Sequence, residues 1–386
     1  MNRKLLKQPS SGIKTICRLA SLLVVLFAIV GGIGAIKSQA QTERPKSNQS
    51  QTDQVLPKKN NLTPGHKIIE GDMQVPNTYA KGSNFEIKQW PGGVVYYIFD
   101  DKVLQADRQI ARDAMTEWSE ATKKVSGADI LEFREEVGYI GPYPIFIEIQ
   151  NSDASNSKVG MQLGGQTMNI SAWKKFLIAH ELGHALGLLH EQTRGDRNDF
   201  IEIVTDNINI LELHNFGVVP ISGNDKLSNA FYGPYDFDSV MHYSECTFSI
   251  SNKCPNDPML RDGGITIKVK DPYQDWQKKI GMGTHLSSLD SLTVSLLYAP
   301  SNTRFVDATN TLPFPFFQNG SFLFPFQNLS MGVEDTPAGG TLWIQPGTYG
   351  DVRTFNKPMK LRAPLGGVTI NPGNGVAAST ARPLQK

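Results

Sequence analysis

The pattern of apolar and polar positions divides the chain into an apolar N-terminal run, a polar stretch, a long patterned region and an aromatic-rich end. Leu19 to Ile36 carries no charge and is mostly apolar. Gln41 to Pro64 is rich in Gln, Asn, Ser, Lys and Pro and has no aromatic residue. Such a stretch cannot bury much apolar surface. We therefore expect residues 41–87 to be largely disordered.

From Trp90 onward, two periodicities predict both strands and helices. Runs that are β-branched and aromatic or that alternate predict strands over Val94–Phe99, Leu131–Glu136, Pro144–Gln150 and Gly165–Ile170. Apolar residues at helical spacing predict helices over Asp107–Lys123, Ser171–Leu186 and Ser287–Leu297. The stretch before the last helix is rich in Gly, Pro and Asn and has little periodicity. The order predicts an α+β fold: a twisted sheet with helices, a mostly irregular lower part and a small β-rich C-terminal segment.

The N-terminus has the pattern of a secretory signal peptide. Residues 1–18 carry five Lys or Arg and no acidic residue, the apolar run follows, and Ser38-Gln39-Ala40 is a small-residue cleavage site. We predict a signal peptide over residues 1–40 and a secreted or extracellular protein. The alternative is an uncleaved membrane anchor, because the apolar run is about the minimum length that spans a bilayer. A periplasmic location is also compatible.

Composition excludes several classes of protein. The 386 residues include 38 Lys plus Arg and 37 Asp plus Glu, a net charge of +1. This balance argues against a nucleic-acid partner, which requires a basic surface. Three cysteines are too few for a disulfide-rich scaffold or a cysteine-based zinc finger. Cys246 and Cys254 are close in sequence and could pair in an oxidising compartment; the alternative is two free thiols.

The candidate chemistry lies in residues 180–190, which run HELGHALGLLH. Two histidines at positions i and i+4 share one face of a helix, so His180 and His184 can bind one zinc ion with Glu181 beside it. Gly187 can adopt the left-handed conformation that ends the helix. The chain can then return His190 as a third ligand. The alternative is a helix whose histidines lie at the surface.

Three histidine ligands leave one position of a tetrahedral zinc site open, which is typical of a catalytic zinc. Zinc lowers the pKa of a water molecule toward 7. Glu181 is then the candidate general base for that water, and it would later give the proton to the leaving amine.

Residues 180–201 resemble the signature of the astacin family of metzincin zinc endopeptidases. Glu191 matches the glutamate that follows the third histidine in that family, and residues 235–243 (YDFDSVMHY) resemble its Met-turn. The resemblance implies that Met241 forms an apolar floor beneath the metal. It also implies that Tyr243 is a retractable fifth ligand that stabilises the oxyanion. The alternative for Tyr243 is a core aromatic residue.

The resemblance covers about residues 88–299, which we take as a metzincin-type catalytic domain over 88–300. Leu188, Gly195 and Phe200 depart from the usual residues of the family signature, and none of them is a ligand or the base. The usual two disulfides of the family are missing, because no cysteine lies between Cys17 and Cys246.

An upstream segment, Ile68 to Met73, resembles the family motif in which an aspartate of the prosegment caps the zinc. Asp72 would then be a latency ligand, since a carboxylate can fill the open zinc position. The alternative is an ordinary Gly-Asp turn. A latency role requires cleavage between Asp72 and Trp90 by an activating protease, and Lys81 and Lys88 are candidate sites. In the family, the freed N-terminus packs near the glutamate that corresponds to Glu191.

Residues 301–386 form the β-rich C-terminal segment. Thr341–Ile344, Met359–Leu361 and Val368–Ile370 are predicted strands, and the segment resembles the opening coils of a right-handed parallel β-helix. Such coils need several neighbours to bury a core. A truncated solenoid, a small β-module and a partly disordered tail therefore all stay open.

These features predict a secreted zinc endopeptidase with one catalytic Zn²⁺ that is made as a zymogen and acts on proteins or peptides. A membrane partner is expected only if the apolar N-terminal run is uncleaved. The alternative is a catalytically silent metzincin-fold binding or adhesion protein. The presence of Glu181, the three histidines and Tyr243 together favours the enzyme.

Overall fold

A computed structural model describes residues 62, 65–77, 87–136, 145–218, 233–310, 318–322, 324–350, 354–355 and 357–370. These residues belong to one unit, Leu56–Lys386. The predicted signal peptide and nearly all of the polar stretch over 41–64 lie outside the described residues. Within the described part of the chain, no helix has the length and apolar character needed to cross a bilayer.

A parallel sheet and two helices form the first part of the fold. In chain order the elements are β1 (His66–Ile69), β2 (Met73–Pro76), β3 (Val94–Phe99), α1 (Gln105–Ser126), β4 (Glu132–Glu135), β5 (Ile147–Asn151), β6 (Ser157–Lys158), β7 (Gln166–Ile170) and α2 (Lys175–Leu186). The central sheet has the spatial order β4-β3-β5-β7, and all its neighbours are parallel. The predicted strands and helices are thus present, although α2 begins at Lys175 rather than at Ser171.

The main core lies between this sheet and the helices. Alternate residues of β3 are buried, as expected for a strand with one face against the core. Helix α1 buries Ala111, Met115 and Trp118 on one face, and the Trp118 indole donates a 2.9 Å hydrogen bond to Ala179 O of α2. Buried indole N–H groups need such a partner. The bond fixes the two helices relative to each other.

The hairpin β1–β2 differs from the expectation that residues 41–87 are largely disordered. Its two strands pair antiparallel, and β2 pairs in parallel with β6. An antiparallel bridge between Asn156 and Asn169 connects the β6 region to β7. The hairpin is ordered because the edge of the central sheet supplies backbone partners that the segment lacks by itself.

The lower part is mostly irregular, as predicted. Its regular elements are β8 (Ile201–Ile203) and β9 (Ile267–Val269), which pair antiparallel, and the helix α3 (Ser288–Leu297). Its own apolar cluster includes Phe216, Tyr235 and Tyr243. Cys246 and Cys254 form a disulfide in this part.

The C-terminal segment is a small β-module. Its elements are β10 (Thr303–Val306), α4 (Leu329–Asp335), β11 (Thr341–Ile344), β12 (Gly347–Tyr349), β13 (Lys360–Arg362) and β14 (Val368–Ile370). The strands form two parallel sheets of order β10-β11-β13 and β12-β14. The three predicted strands are present within one residue, whereas α4 was not predicted. The β-helix stays a prediction.

The β-module is packed against α1 and α3 of the preceding part of the fold. Phe305 and Trp343 of the β-module share a buried cluster with Leu292 and Leu296 of α3. The Arg362 guanidinium donates a 3.0 Å hydrogen bond to Val125 O at the end of α1. Because α3 buries one of its faces against the β-module, the two parts should unfold together.

We therefore predict that Trp343→Ala destabilises the whole described fold. The indole is 4% exposed, and removing a buried large aromatic residue costs about 3–5 kcal/mol. The measurement is urea unfolding of the full chain, followed by far-UV circular dichroism. The matched control is Leu361→Ala in the same module, because Leu361 is 47% exposed and its loss should have little effect. A separate transition for the module, with the remainder unchanged, would contradict shared packing.

Candidate metal centre and active site

Three histidine side chains converge at the end of α2. His180 and His184 lie one turn apart on α2, and His190 follows the helix. The ring centroid of His184 lies 4.8 Å from that of His180 and 4.7 Å from that of His190. Candidate ligand atoms of these histidines and of Asp72 all lie within 4.8 Å of one another. One metal ion could therefore contact all four side chains.

Gly187 makes this convergence possible. Its φ of 110° ends α2 in the left-handed region, and its N–H donates a 2.8 Å hydrogen bond to His184 O. A β-carbon at this position would lie 2.8 Å from Ile87 Cγ2. Both the backbone conformation and the available space thus favour glycine.

Backbone carbonyls orient the two helical imidazoles. His180 Nδ1 lies 2.7 Å from Val240 O, and His184 Nδ1 lies 2.9 Å from Leu188 O. Since a carbonyl can only accept, Nδ1 carries the proton and Nε2 keeps the lone pair. His190 Nδ1 similarly lies 3.3 Å from the Glu70 carboxylate. Such partners fix the tautomer of a metal-binding histidine.

Asp72 lies where a fourth ligand would lie. Its carboxylate oxygens are 3.2, 3.5 and 3.1 Å from Nε2 of His180, His184 and His190, respectively. Burial alone would raise the pKa of Asp72, but His190 and the other two imidazoles hold it well below its usual value. The carboxylate is thus charged and faces three nitrogens.

This donor set fits zinc. Within the described residues, the buried His184 Nε2 has no hydrogen-bond partner, as expected of a nitrogen placed for a metal rather than for a hydrogen bond. Three imidazole nitrogens and one carboxylate are ligands that Zn²⁺ accepts in tetrahedral sites. The four side chains can hold one zinc ion.

Glu181 is buried beside this group. It is 0% exposed, and neither carboxylate oxygen has a hydrogen-bond partner among the described residues. Burial and the nearby charge of Asp72 raise its pKa well above the usual value. A buried carboxyl group without a structural partner is typical of a functional residue.

Met241 packs against the helix that carries His180 and His184, next to Gly183. A β-carbon on Gly183 would lie 2.5 Å from Met241 Sδ, so the glycine allows the turn and the helix to approach closely. Met241 O also accepts a 3.1 Å hydrogen bond from Glu191 N. The floor of the site is therefore joined to the segment that carries His190.

Tyr243 lies beside the third histidine. Its ring centroid is 4.6 Å from that of His190, and its N–H donates a 3.0 Å hydrogen bond to Gln192 Oε1. Its hydroxyl donates to Glu70 O of the β1–β2 turn. The β1–β2 hairpin therefore places Asp72 at the fourth-ligand position. It also accepts the hydrogen bond of the Tyr243 hydroxyl, through Glu70 O.

Glu191, the residue after the third histidine, lines a small cavity together with two other acidic residues. Its carboxylate accepts hydrogen bonds from Asp236 N at 2.8 Å and from Arg194 at 3.1 Å. Burial, partly offset by Arg194, raises the pKa of Glu191 to about 8. Burial and Asp290 raise the pKa of Asp236 to about 7. A small cavity is lined by all three carboxyl groups.

Sequence reasoning did not single out Asp290 or Glu70. Asp290 accepts hydrogen bonds from Ser239 Oγ at 2.6 Å and Val240 N at 2.9 Å, and Val240 is the residue whose carbonyl orients His180. The pair Ser287 and Asp290 also forms a capping box at the start of α3. That Ser-x-x-Asp pattern is a sequence signal for the start of a helix, but it does not indicate that the aspartate is buried. No local pattern indicates that Glu70 would reach His190.

Several known proteins are similar in sequence to this chain. The zinc metalloproteinase nas-14 of Caenorhabditis elegans is 33% identical over 216 residues, which are 55% of this chain and 37% of that protein. Bone morphogenetic protein 1 of Xenopus laevis is 32% identical over 237 residues, which are 60% of this chain and 30% of that protein. The chain thus spans about a third of the length of these curated relatives.

A solved structure of high choriolytic enzyme 1, a hatching enzyme zinc-protease from Oryzias latipes, is 26% identical, covers 55% of this chain and 93% of its own, and has a TM-score of 0.43. Residues 82–299 match the family model described as Astacin, a peptidase family. That match covers more than half of the 386 residues. The chain therefore belongs to the astacin family of peptidases.

Proposed function

We propose that this protein is a secreted zinc endopeptidase that is made in a latent form. The observation that carries the proposal is the convergence of His180, His184 and His190 beside the buried, unpartnered carboxyl of Glu181. A structural site would need a fourth permanent ligand. Here the fourth side chain, Asp72, comes from a separate upstream hairpin. The protein and peptide substrates expected of the family are part of this proposal.

The residues divide the chemistry between them. Zinc, when bound, supplies Lewis-acid activation of water and of the scissile carbonyl. Glu181 takes a proton from the attacking water and delivers it to the nitrogen of the leaving amine. The Tyr243 hydroxyl, once released from Glu70 O, donates a hydrogen bond to the oxyanion that develops on the substrate carbonyl. Met241 and Val240 hold the floor and the His180 ring in place.

The hairpin is the latency device. Asp72 occupies the fourth-ligand position, and the backbone of β2 lies along β6 at the edge of the sheet. A substrate that adds to the same edge needs that backbone position. Cleavage between Asp72 and Trp90 would release the hairpin. Of the two candidate sites, Lys88 is exposed, and Lys81 lies outside the described residues.

Cleavage would also create a new N-terminus just before Trp90, which we propose packs in the cavity that Glu191 lines. Trp90 is buried, with its indole donating a 2.8 Å hydrogen bond to Ala185 O of α2. The cavity lined by Glu191, Asp236 and Asp290 offers carboxylates to a protonated amine. Processing and ordering of the site would then be coupled.

The alternative is a metzincin-fold binding protein without activity. It has no use for a buried, unpartnered Glu181, because burying an unsatisfied carboxyl is costly. The proposal includes residues 1–40 as a signal peptide, residues 41–87 as the prosegment, 88–300 as the catalytic domain and 301–386 as a β-rich appendage.

The first prediction separates metal binding from catalysis. The processed protein should hold about one zinc per chain and cleave casein. Glu181→Gln should keep the zinc and lower casein cleavage about 10²- to 10⁴-fold, the usual contribution of a general base. His184→Ala should lose both. Metal content is measured by atomic absorption after dialysis. A Glu181→Gln protein that cleaves casein normally would contradict the assigned role.

The second prediction concerns latency. In the uncleaved chain, Asp72→Ala should raise casein cleavage above that of the parent protein, because the fourth-ligand position is vacated while zinc stays on three histidines. The control is Asp129→Ala, since Asp129 is 79% exposed at its side chain and lies in a surface ion pair. Gel electrophoresis confirms that each chain is intact. Equal activity of the uncleaved Asp72→Ala and parent chains would contradict the role of Asp72 as the ligand that holds the uncleaved chain inactive.

A further inference from the structure

We propose that Asn156, Thr167 and Asn169 form a substrate subsite that selects a glutamine side chain close to the scissile bond. In the latent protein this subsite holds Gln74 of the hairpin. The inference rests on the proposed protease function and adds a substrate preference to it. It is carried by a buried row of side-chain amides that runs across the sheet to the hairpin.

The row consists of four amide side chains. Gln150 Nε2 of β5 donates to Asn169 Oδ1 of β7 at 2.7 Å, and Asn169 Nδ2 donates to Asn156 Oδ1 at 2.7 Å. Gln74 Nε2 of β2 donates to the same Asn156 Oδ1 at 2.6 Å, and it lies 3.4 Å from Thr167 Oγ1. Three of the side chains therefore come from the sheet region that follows Trp90, and the fourth, Gln74, comes from the hairpin.

Asn156 and Asn169 are held in place by burial and by backbone pairing. Asn156 is 3% exposed and Asn169 is 0% exposed, and the backbones of these two residues form an antiparallel bridge. Asn169 Oδ1 accepts from Gln150, and Asn169 Nδ2 donates to Asn156. The hydrogen bonds are thus donated in one order along the row, from Gln150 to Asn169 to Asn156. Asn156 therefore turns its oxygen, not its nitrogen, toward the hairpin.

The subsite lies next to the metal centre. Ser157 N, in the same edge strand, donates a 2.9 Å hydrogen bond to Asp72 O, and Asp72 is the residue at the fourth-ligand position. Asp72 is the last residue of the turn before β2, and Gln74 is the second residue of that strand. Residues i and i+2 of an extended strand point to the same side, about 6.6 Å apart. An extended substrate on this edge would therefore place a side chain here about two residues from the scissile bond.

The chemistry of the subsite favours a hydrogen-bond donor. A carbonyl oxygen has two lone pairs, so Asn156 Oδ1 can accept from Asn169 and from one more amide. Glutamine matches the observed geometry of Gln74. Glutamate has the same shape but is an acceptor at neutral pH, so its carboxylate would face the Asn156 oxygen, which is also an acceptor; the Thr167 hydroxyl is the neighbouring group that can donate to it. Leucine fills the space but cannot donate a hydrogen bond, so Asn156 Oδ1 would be shielded from water with one hydrogen bond fewer.

The test uses quenched fluorescent peptides in which one glutamine is moved through the three positions on each side of the scissile bond. Each peptide has partners with glutamate or leucine at that position. The full chain is processed by limited digestion with a Lys-directed protease. We expect one position, two residues from the scissile bond, at which glutamine exceeds leucine about 3- to 10-fold in kcat/KM, the effect of one net hydrogen bond, and exceeds glutamate by more.

Asn156→Ala should abolish this preference, measured within the variant as the ratio of kcat/KM for the glutamine peptide to kcat/KM for its leucine and glutamate partners. The matched control is Asn151→Ala in β5, because Asn151 is an exposed asparagine that bonds Lys102 O and Trp173. That control should keep the preference. If no position separates glutamine from glutamate and leucine, or if the preference survives in Asn156→Ala, the inference is overturned.

Binding separates this inference from the proposed activity. The same peptides are titrated into processed Glu181→Gln protein by fluorescence anisotropy, and the Kd should favour glutamine over glutamate without any cleavage. Casein cleavage by the parent protein tests the protease function by itself. A glutamine preference in binding without casein cleavage would support the subsite and contradict the enzyme; casein cleavage without a preference would do the reverse.

Discussion

Three imidazole nitrogens that point at one position, two of them on fully buried rings, are the constraint on which the rest of this structure depends. Lone pairs brought together away from water need a cation or a proton between them. Three contacts keep them together. Val240 O and Leu188 O orient two rings, and the left-handed conformation of Gly187 turns the chain so that His190 brings the third ring to the same place. The charged carboxylate of Asp72 adds the fourth donor from the hairpin.

The support of this site extends outward in a chain of hydrogen bonds. Asp290 at the start of α3 holds Val240, and Val240 holds His180. The opposite face of α3 packs against Phe305 and Trp343 of the β-module. The C-terminal segment thus stabilises a helix whose first turn positions a metal ligand. This gives the β-module a structural role that does not require a ligand of its own.

The sequence was sufficient where the signal is local. The i and i+4 spacing of the histidines and the glycine that follows them are properties of one helix and its end, so they predict the ligand set directly. The main strands and helices were likewise predictable from periodicity. The start of α2 was not, because Lys174 is extended although the residues around it are compatible with a helix.

The remaining features depend on partners that are distant in sequence. The hairpin strands have four residues each and gain order from pairing with β6, which no local pattern shows. Glu70 reaches His190 and Tyr243 only because the turn is seated in the site. Asn156 and Gln74 look like ordinary polar residues in sequence; their importance appears only when the sheet aligns them. The same edge of the sheet thus carries both the proposed latency and the proposed substrate preference.

Anomalous diffraction at the zinc absorption edge, on crystals of the intact chain grown with zinc, tests the central claim most directly. We expect one strong peak, from a zinc ion that lies about 2.0–2.2 Å from Nε2 of His180, His184 and His190 and from the Asp72 carboxylate. A peak on the three histidines without Asp72 would contradict the latency role. A folded chain with no zinc between the histidines would contradict the assignment of the metal centre itself.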